Sequence, residues 1–271
     1  MEALLARCEV VDGHIHKAGS FGRVGVEDGR PTYTLSVVMP RGERSLQDAL
    51  LVSRQLCCDN WHNIEAIAFD LFLALDHMHR KGMVHGDIKP LNFMLFSTEW
   101  HMIDLDVARE VGVEGFSRIG EFYGDKAPSS AYCAPELARA LFATSNSAGT
   151  SRGVVGGLMG VKASVAFDLW SAGMVLFFMC TKSPLLRTNV DDNLGPKDLR
   201  KLAEWETFDL ESRLYDSQLT KTKAVLVDLL SKLLDPDTTA RLAHWGVTKG
   251  KSERWACLKV LDHDFFKDSS K

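Results

Sequence analysis

The stretch Val84-His85-Gly86-Asp87-Ile88-Lys89-Pro90-Leu91-Asn92, with Asp104 twelve residues beyond it, constrains this chain of 271 residues more than any other. Asp87, Lys89 and Asn92 stand at i, i+2 and i+5, and Gly86 and Pro90 keep the segment from forming a regular helix. Asp104 follows an apolar, strand-like run. A carboxylate that can take a hydroxyl proton, a cation for a phosphate, and an amide plus a second carboxylate for magnesium make up a phosphoryl-transfer set.

The flanking pattern predicts how that set is delivered. Ile64, Ile67, Ala68, Leu71, Leu75 and Met78 recur at three and four residues, which predicts a helix over 61–81. Asn60 is placed to cap its start and Gly82 to end it. His77 and His79 on that helix stand two residues apart and point away from each other, so surface or partly buried roles are expected rather than a shared metal. Ser45 and Asp48 predict a capped helix start after Arg41. Phe93–Phe96 and Trp100–Ile103 around Ser97-Thr98-Glu99 predict a short hairpin leading to Asp104. Asp106 is expected to cap a helix over 107–111. Amphipathic helices are expected over 198–206 and 223–234, with Leu226, Leu229, Leu230, Leu233 and Leu234 as a core stripe.

The loop resembles the protein kinase catalytic loop, His-Arg-Asp-x-Lys-x-x-x-Asn followed by Asp-Phe-Gly, in its serine/threonine form. The resemblance extends in order through Tyr132-Cys133-Ala134-Pro135-Glu136, Asp168-Leu169-Trp170-Ser171-Ala172-Gly173 and Leu234–Arg241. It implies an α+β, protein kinase-like fold: a mainly α-helical large lobe over 41–268, with a remnant of the β-rich small lobe and the hinge over 1–40. It implies ATP and Mg²⁺ as cofactors. Asp87 would orient and deprotonate a substrate hydroxyl, and Lys89 would steady the γ-phosphate. Asn92 and Asp104 would hold the metal. Val37 C=O and Met39 N–H would hold the adenine edge. Ser129 would bond Asp87 and Lys89 through its hydroxyl. Asp168 would brace the loop around His85, while its place at a helix start also reads as an N-cap on its own, and Glu136 would pair with Arg241. Residues 255–263 would form the final helix, an expectation from the resemblance alone.

The departures matter as much. Gly86 replaces the Arg that usually reads a phosphorylated activation loop, and Leu105-Asp106 replaces Phe-Gly. Ala18–Val24 does not qualify as a nucleotide-gripping glycine loop: between it and Val37 there is no Lys and no room for the helix that would carry a Glu. Strands are expected instead near 10–15 and 33–39. Residues 143–160 hold five Gly and five Ser/Thr, too little apolar area to offset their ordering, so 143–163 is expected to be a flexible insertion.

The activity therefore has three readings: a serine/threonine protein kinase acting on a protein hydroxyl, a pseudokinase that scaffolds partners, or a nucleotide-binding switch. A net charge of −4 speaks against nucleic acid as a partner. Six cysteines without a Cys-x-x-Cys pair fit a reduced, intracellular, cytoplasmic setting. The start at Met1 shows no signal-peptide pattern. The longest apolar run, Ala172 to Cys180, is too short for membrane insertion.

Overall fold

The computed structural model describes residues 24–27, 30–33, 40–51, 60–114, 129–145, 161–189, 192–216, 224–248 and 251–267. The expected strand near 10–15, the adenine-edge residues Val37 and Met39, and positions 146–160 of the expected insertion lie outside them. The first three residues of that insertion end a helix, Pro135–Ser145 (α3).

The architecture is built around a helix that is largely apolar and buried on every side. This is α4, Val165–Thr181, in which Val165 through Met179 are all buried. Such a helix can only be the centre of a core. Ser164 starts it by accepting from Ala166 N at 3.2 Å. Helix α2, Trp61–Arg80, lies against it with Ile64, Ile67, Ala68, Leu71, Phe72 and Leu75 turned inward. Asn60 caps α2 by accepting from His62 N at 2.9 Å, and Gly82 leaves the helix at φ +77°. The leucine stripe of α7, Ala224–Leu233, packs on α4 as its periodicity predicts. Gly173 lets the two approach: a Cβ there would come within 2.9 Å of Leu233 Cβ.

The strands are short. β1, Val24–Glu27, pairs with β2, Arg30–Tyr33. β3, Arg44–Ser45, pairs with β5, Phe93–Phe96, which turns through Ser97 and Thr98 into β6, Glu99–Met102. Ser97 takes φ 57°, as a two-residue hairpin turn requires. β4, Met83–Val84, pairs with β7, Arg109–Glu110, so one strand leads into the loop and the other leaves the Asp104 region. Helix α1, Leu46–Leu51, starts with a complete capping box: Ser45 Oγ accepts from Asp48 N at 3.1 Å and Asp48 Oδ2 accepts from Ser45 N at 3.1 Å.

Five expectations need correction. Asp106 starts no helix; Val107 sits in a turn and Arg109–Glu110 form β7, because pairing with Met83–Val84 outweighs a weak local helix preference. His79 is neither on the surface nor partly buried but fully inside. Its spacing of four from Leu75 carries it onto the buried stripe of α2. Asp168 is not a cap, since Ser164 fills that place and leaves the Asp168 carboxylate for another segment. The helix expected over 198–206 is α5, Pro196–Ala203, with Pro at its first turn, and a further helix, α6, Thr207–Asp216, follows it. Beyond α8, Thr238–Ala243, the segment expected as helix 255–263 is a 3₁₀ turn, Glu253–Trp255, then α9, Ala256–Leu261.

Candidate active site

The loop after β4 is held in an irregular course by side chains that arrive from distant elements. Asp168 on α4 supplies the first of them. Its Oδ2 accepts from His85 N at 2.8 Å and its Oδ1 from Gly86 N at 2.9 Å. Gly86 takes φ +79°, where a side chain would be strained. His79 completes the set, with Nε2 2.8 Å from Asp168 Oδ2. Burial by itself would push the Asp168 carboxyl up; the His79 hydrogen bond, the neighbouring His79 and His85 rings, and the Gly86 N–H outweigh it and hold it below the usual carboxylate range.

His85 links this brace to the next strand pair. Its Nδ1 accepts from Asp87 N at 3.3 Å, so Nε2 carries the hydrogen and donates to Ile103 O at 3.2 Å. Ile103 N in turn donates to Asn92 O at 2.9 Å. Asp104, the next residue, is thus tied by backbone to the ends of the loop. It adopts φ +64°, uncommon for any residue with a side chain, and its carboxylate is exposed. Left-handed strain of this kind is held by surrounding structure and gathers at functional sites.

Asp87, Lys89 and Asn92 come together as one cluster. Lys89 Nζ lies 3.1 Å from Asp87 Oδ2. Asn92 Nδ2 donates to Asp87 O at 2.9 Å and to its Oδ2 at 3.1 Å. Asp87 Oδ1 accepts from Ser129 N at 2.9 Å, and Lys89 Nζ donates to Ser129 Oγ at 2.6 Å. Ser129 therefore meets both residues, but Asp87 through its backbone N–H rather than its hydroxyl. With Nδ2 committed to Asp87, Asn92 has only Oδ1 left for a ligand. An amide oxygen and the Asp104 carboxylate are hard oxygen donors. They suit Mg²⁺, which takes one or two protein oxygens and completes its shell with water and phosphate.

The segment after Ser129 is fixed from below. Ser130 N and Oγ both donate to Asn193 Oδ1, at 3.3 and 3.2 Å, and Leu194 N donates to Ser130 Oγ at 2.8 Å. Nothing local in the sequence announces Asn193, which acts 63 residues from its partner. Ser171 Oγ on α4 donates to Tyr132 O at 2.7 Å. Burial, with Asp192 adding to it, pushes the Tyr132 phenol up. Glu136, at the start of α3, pairs with Arg241 of α8. Arg241 is fully buried, donates from Nη1 to Asp235 O at 2.6 Å and stacks 5.4 Å from the centre of the Trp170 ring. Burial pulls its guanidinium down, and the charges of Glu136 and Asp235 offset only part of that.

The family described as the protein kinase domain matches residues 30–266. Calcium-dependent protein kinase 19 of Arabidopsis thaliana is 24% identical over 190 residues, which make up 70% of this chain and 26% of that protein. The MAPK/MAK/MRK overlapping kinase of Homo sapiens is 25% identical over 211 residues, 75% of this chain and 43% of that protein. The chain thus spans about a quarter to two-fifths of the length of these relatives. A chain in the crystal structure of the yeast RNA Pol II CTD kinase CTDK-1 complex superposes with a TM-score of 0.58 at 16% identity, covering 99% of this chain and 80% of that one. That likeness shows the fold: mostly helical, with few strands and a reduced small lobe. A match running from β2 to the last described turn, over a loop whose acid, lysine and amide converge, makes this chain a member of the protein kinase domain family.

Proposed function

We propose that the chain transfers the γ-phosphate of ATP to a serine or threonine hydroxyl of a protein substrate. The observation that carries this reading is the convergence of Lys89, Asn92 and Ser129 on the Asp87 carboxylate. Asp87 Oδ1 uses one lone pair on Ser129 N and keeps another for a substrate hydroxyl. As the oxygen–phosphorus bond forms, the hydroxyl proton passes to Asp87, and ADP leaves with the bonding pair of the broken γ-phosphate bond. Lys89 has three N–H donors; two serve Asp87 and Ser129, and the third is free to hold a phosphate oxygen. Asn92 Oδ1 and Asp104 would hold Mg²⁺, and Val37 and Met39, outside the described residues, would hold the adenine edge. Mg²⁺-ATP, when bound, supplies the phosphoryl group and neutralises the charge that develops on it. Residues 41–268 form the large lobe on this reading, and 1–40 a shortened small lobe with the hinge.

A second reading, a scaffold that keeps the fold without efficient turnover, has one observation in its favour. No lysine occurs between Lys17 and Lys81, so none of β1, β2 or β3 brings one to the α- and β-phosphates. The two readings part in a radiolabelled autophosphorylation assay. A kinase loses incorporation by about 10²–10⁴-fold in Asp87→Asn and likewise in Asp104→Asn, with Mg²⁺-ATP raising the melting temperature of the unaltered chain. Incorporation unchanged by either substitution overturns the catalytic reading.

A further inference from the structure

Beneath the loop, three side chains from three helices meet in the interior. His79 of α2, Asp168 of α4 and Cys257 of α9 are all essentially without solvent exposure. His79 Nε2 lies 2.8 Å from Asp168 Oδ2, and Cys257 Sγ lies 3.3 Å from His79 Nδ1. The Asp168 carboxylate can only accept, so Nε2 carries a hydrogen. In a neutral ring Nδ1 is then an acceptor, and the group facing it is the Cys257 thiol.

Two features make that thiol a donor. Burial pushes its ionisation well up, and the neighbouring Asp168 and Asp76 charges push it further. Asp76, on α2 one turn before Arg80 and paired with it at 2.8 Å, keeps one carboxylate oxygen buried without a partner. A thiolate would be a third anion in this space, whereas an S–H supplies the one hydrogen the ring lacks.

We propose that Cys257 is a positioning residue: its S–H donates to His79 Nδ1, fixing the Nε2–H tautomer that steers Asp168 onto the backbone N–H groups of His85 and Gly86. In the other tautomer, the lone pair of Nε2 would face the carboxylate. Asp168 would then be repelled from the place where it holds the loop. A residue near the far end of the chain so sets the orientation of the segment that carries Asp87.

The test is made on the full chain by nitrogen-15 NMR of the His79 ring and hydrogen exchange of the His85 and Gly86 amides. Neither measurement depends on ATP or turnover, so it can fail while the kinase reading stands, and the reverse. The unaltered chain is expected to show a protonated Nε2 and a hydrogen-bonded, unprotonated Nδ1. Cys257→Ser keeps a donor and is expected to retain that spectrum and the slow exchange. Cys257→Val keeps the volume without a donor; mixed tautomers are expected, with exchange at His85 and Gly86 roughly two- to tenfold faster, the effect of one lost hydrogen bond. The proposal is overturned if Cys257→Val matches the unaltered chain while Cys257→Ser does not, since packing alone would explain that order. Should Cys257→Val fail to fold, the ring spectrum of the unaltered chain decides: a ring protonated at Nδ1 ends the proposal.

Discussion

Arg241 is the residue whose surroundings allow the firmest energetic statement. It is wholly buried, and its Nε finds no partner although Nη1 and Nη2 do. Glu136 likewise keeps Oε2 buried without one. Arg241→Met leaves the Glu136 carboxylate without its cation and removes the stacking on Trp170, so a loss of about 3–5 kcal/mol is expected in urea unfolding. Adding Glu136→Gln to Arg241→Met is expected to recover part of that loss, because no charge is then stranded. A double variant no more stable than Arg241→Met alone would mean that the methionine's own packing causes the damage.

At the scale of elements, close approach between helices decides more than propensity does. Gly173 is a poor helix former, yet it stands in the middle of α4 because Leu233 of α7 and Leu234 just after it fill the space above it. Gly173→Ala adds helix propensity but drives a Cβ against Leu233 Cβ, which is not the end of a flexible side chain. The expected net change is a destabilisation of about 1–3 kcal/mol, read by urea unfolding. Leu230→Ala, on the stripe of α7, is expected to cost about 2–5 kcal/mol in the same measurement. These elements also show what the chain makes legible. The stripes of α2 and α7, the capping box at Ser45, the hairpin before Asp104 and the convergence of Asp87, Lys89 and Asn92 all follow from short-range spacing. What spacing conceals is where a helix face meets something distant. His79 has the periodicity of a core position but the chemistry of a surface one, and only Asp168 and Cys257 reconcile the two. Asn193 could not be found at all, since its partner Ser130 is remote in sequence and no local pattern joins them. Asp106 misleads in the other direction: a good capping residue precedes a segment that β4 recruits into a strand.

For the molecule as a whole, Asp168 couples stability to acidity. Its carboxyl is held below its ordinary value in the folded chain. A group depressed on folding contributes fully above its unfolded value, near 3.9, and its contribution disappears as pH falls through the lower folded value. Stability measured by urea unfolding is therefore expected to fall as pH drops below about 4, and to fall less steeply in Asp168→Asn, which starts from a lower plateau. Equal pH slopes for the two proteins would remove Asp168 from the account.

The distances in sequence between the loop and its supports have a consequence for how the protein is made. Asp168 leaves the ribosome 83 residues after His85, a delay of roughly 4–17 s at ordinary translation speed. Cys257 comes 178 residues after His79, and Arg241 comes 105 after Glu136. Until those arrive, the segment bearing Asp87 is an unsupported peptide beside half-built apolar helices. The nascent polypeptide thus meets chaperones and proteases during that interval, and its phosphate-handling groups gain their arrangement only once Asp168 and the helix bearing Cys257 are in place.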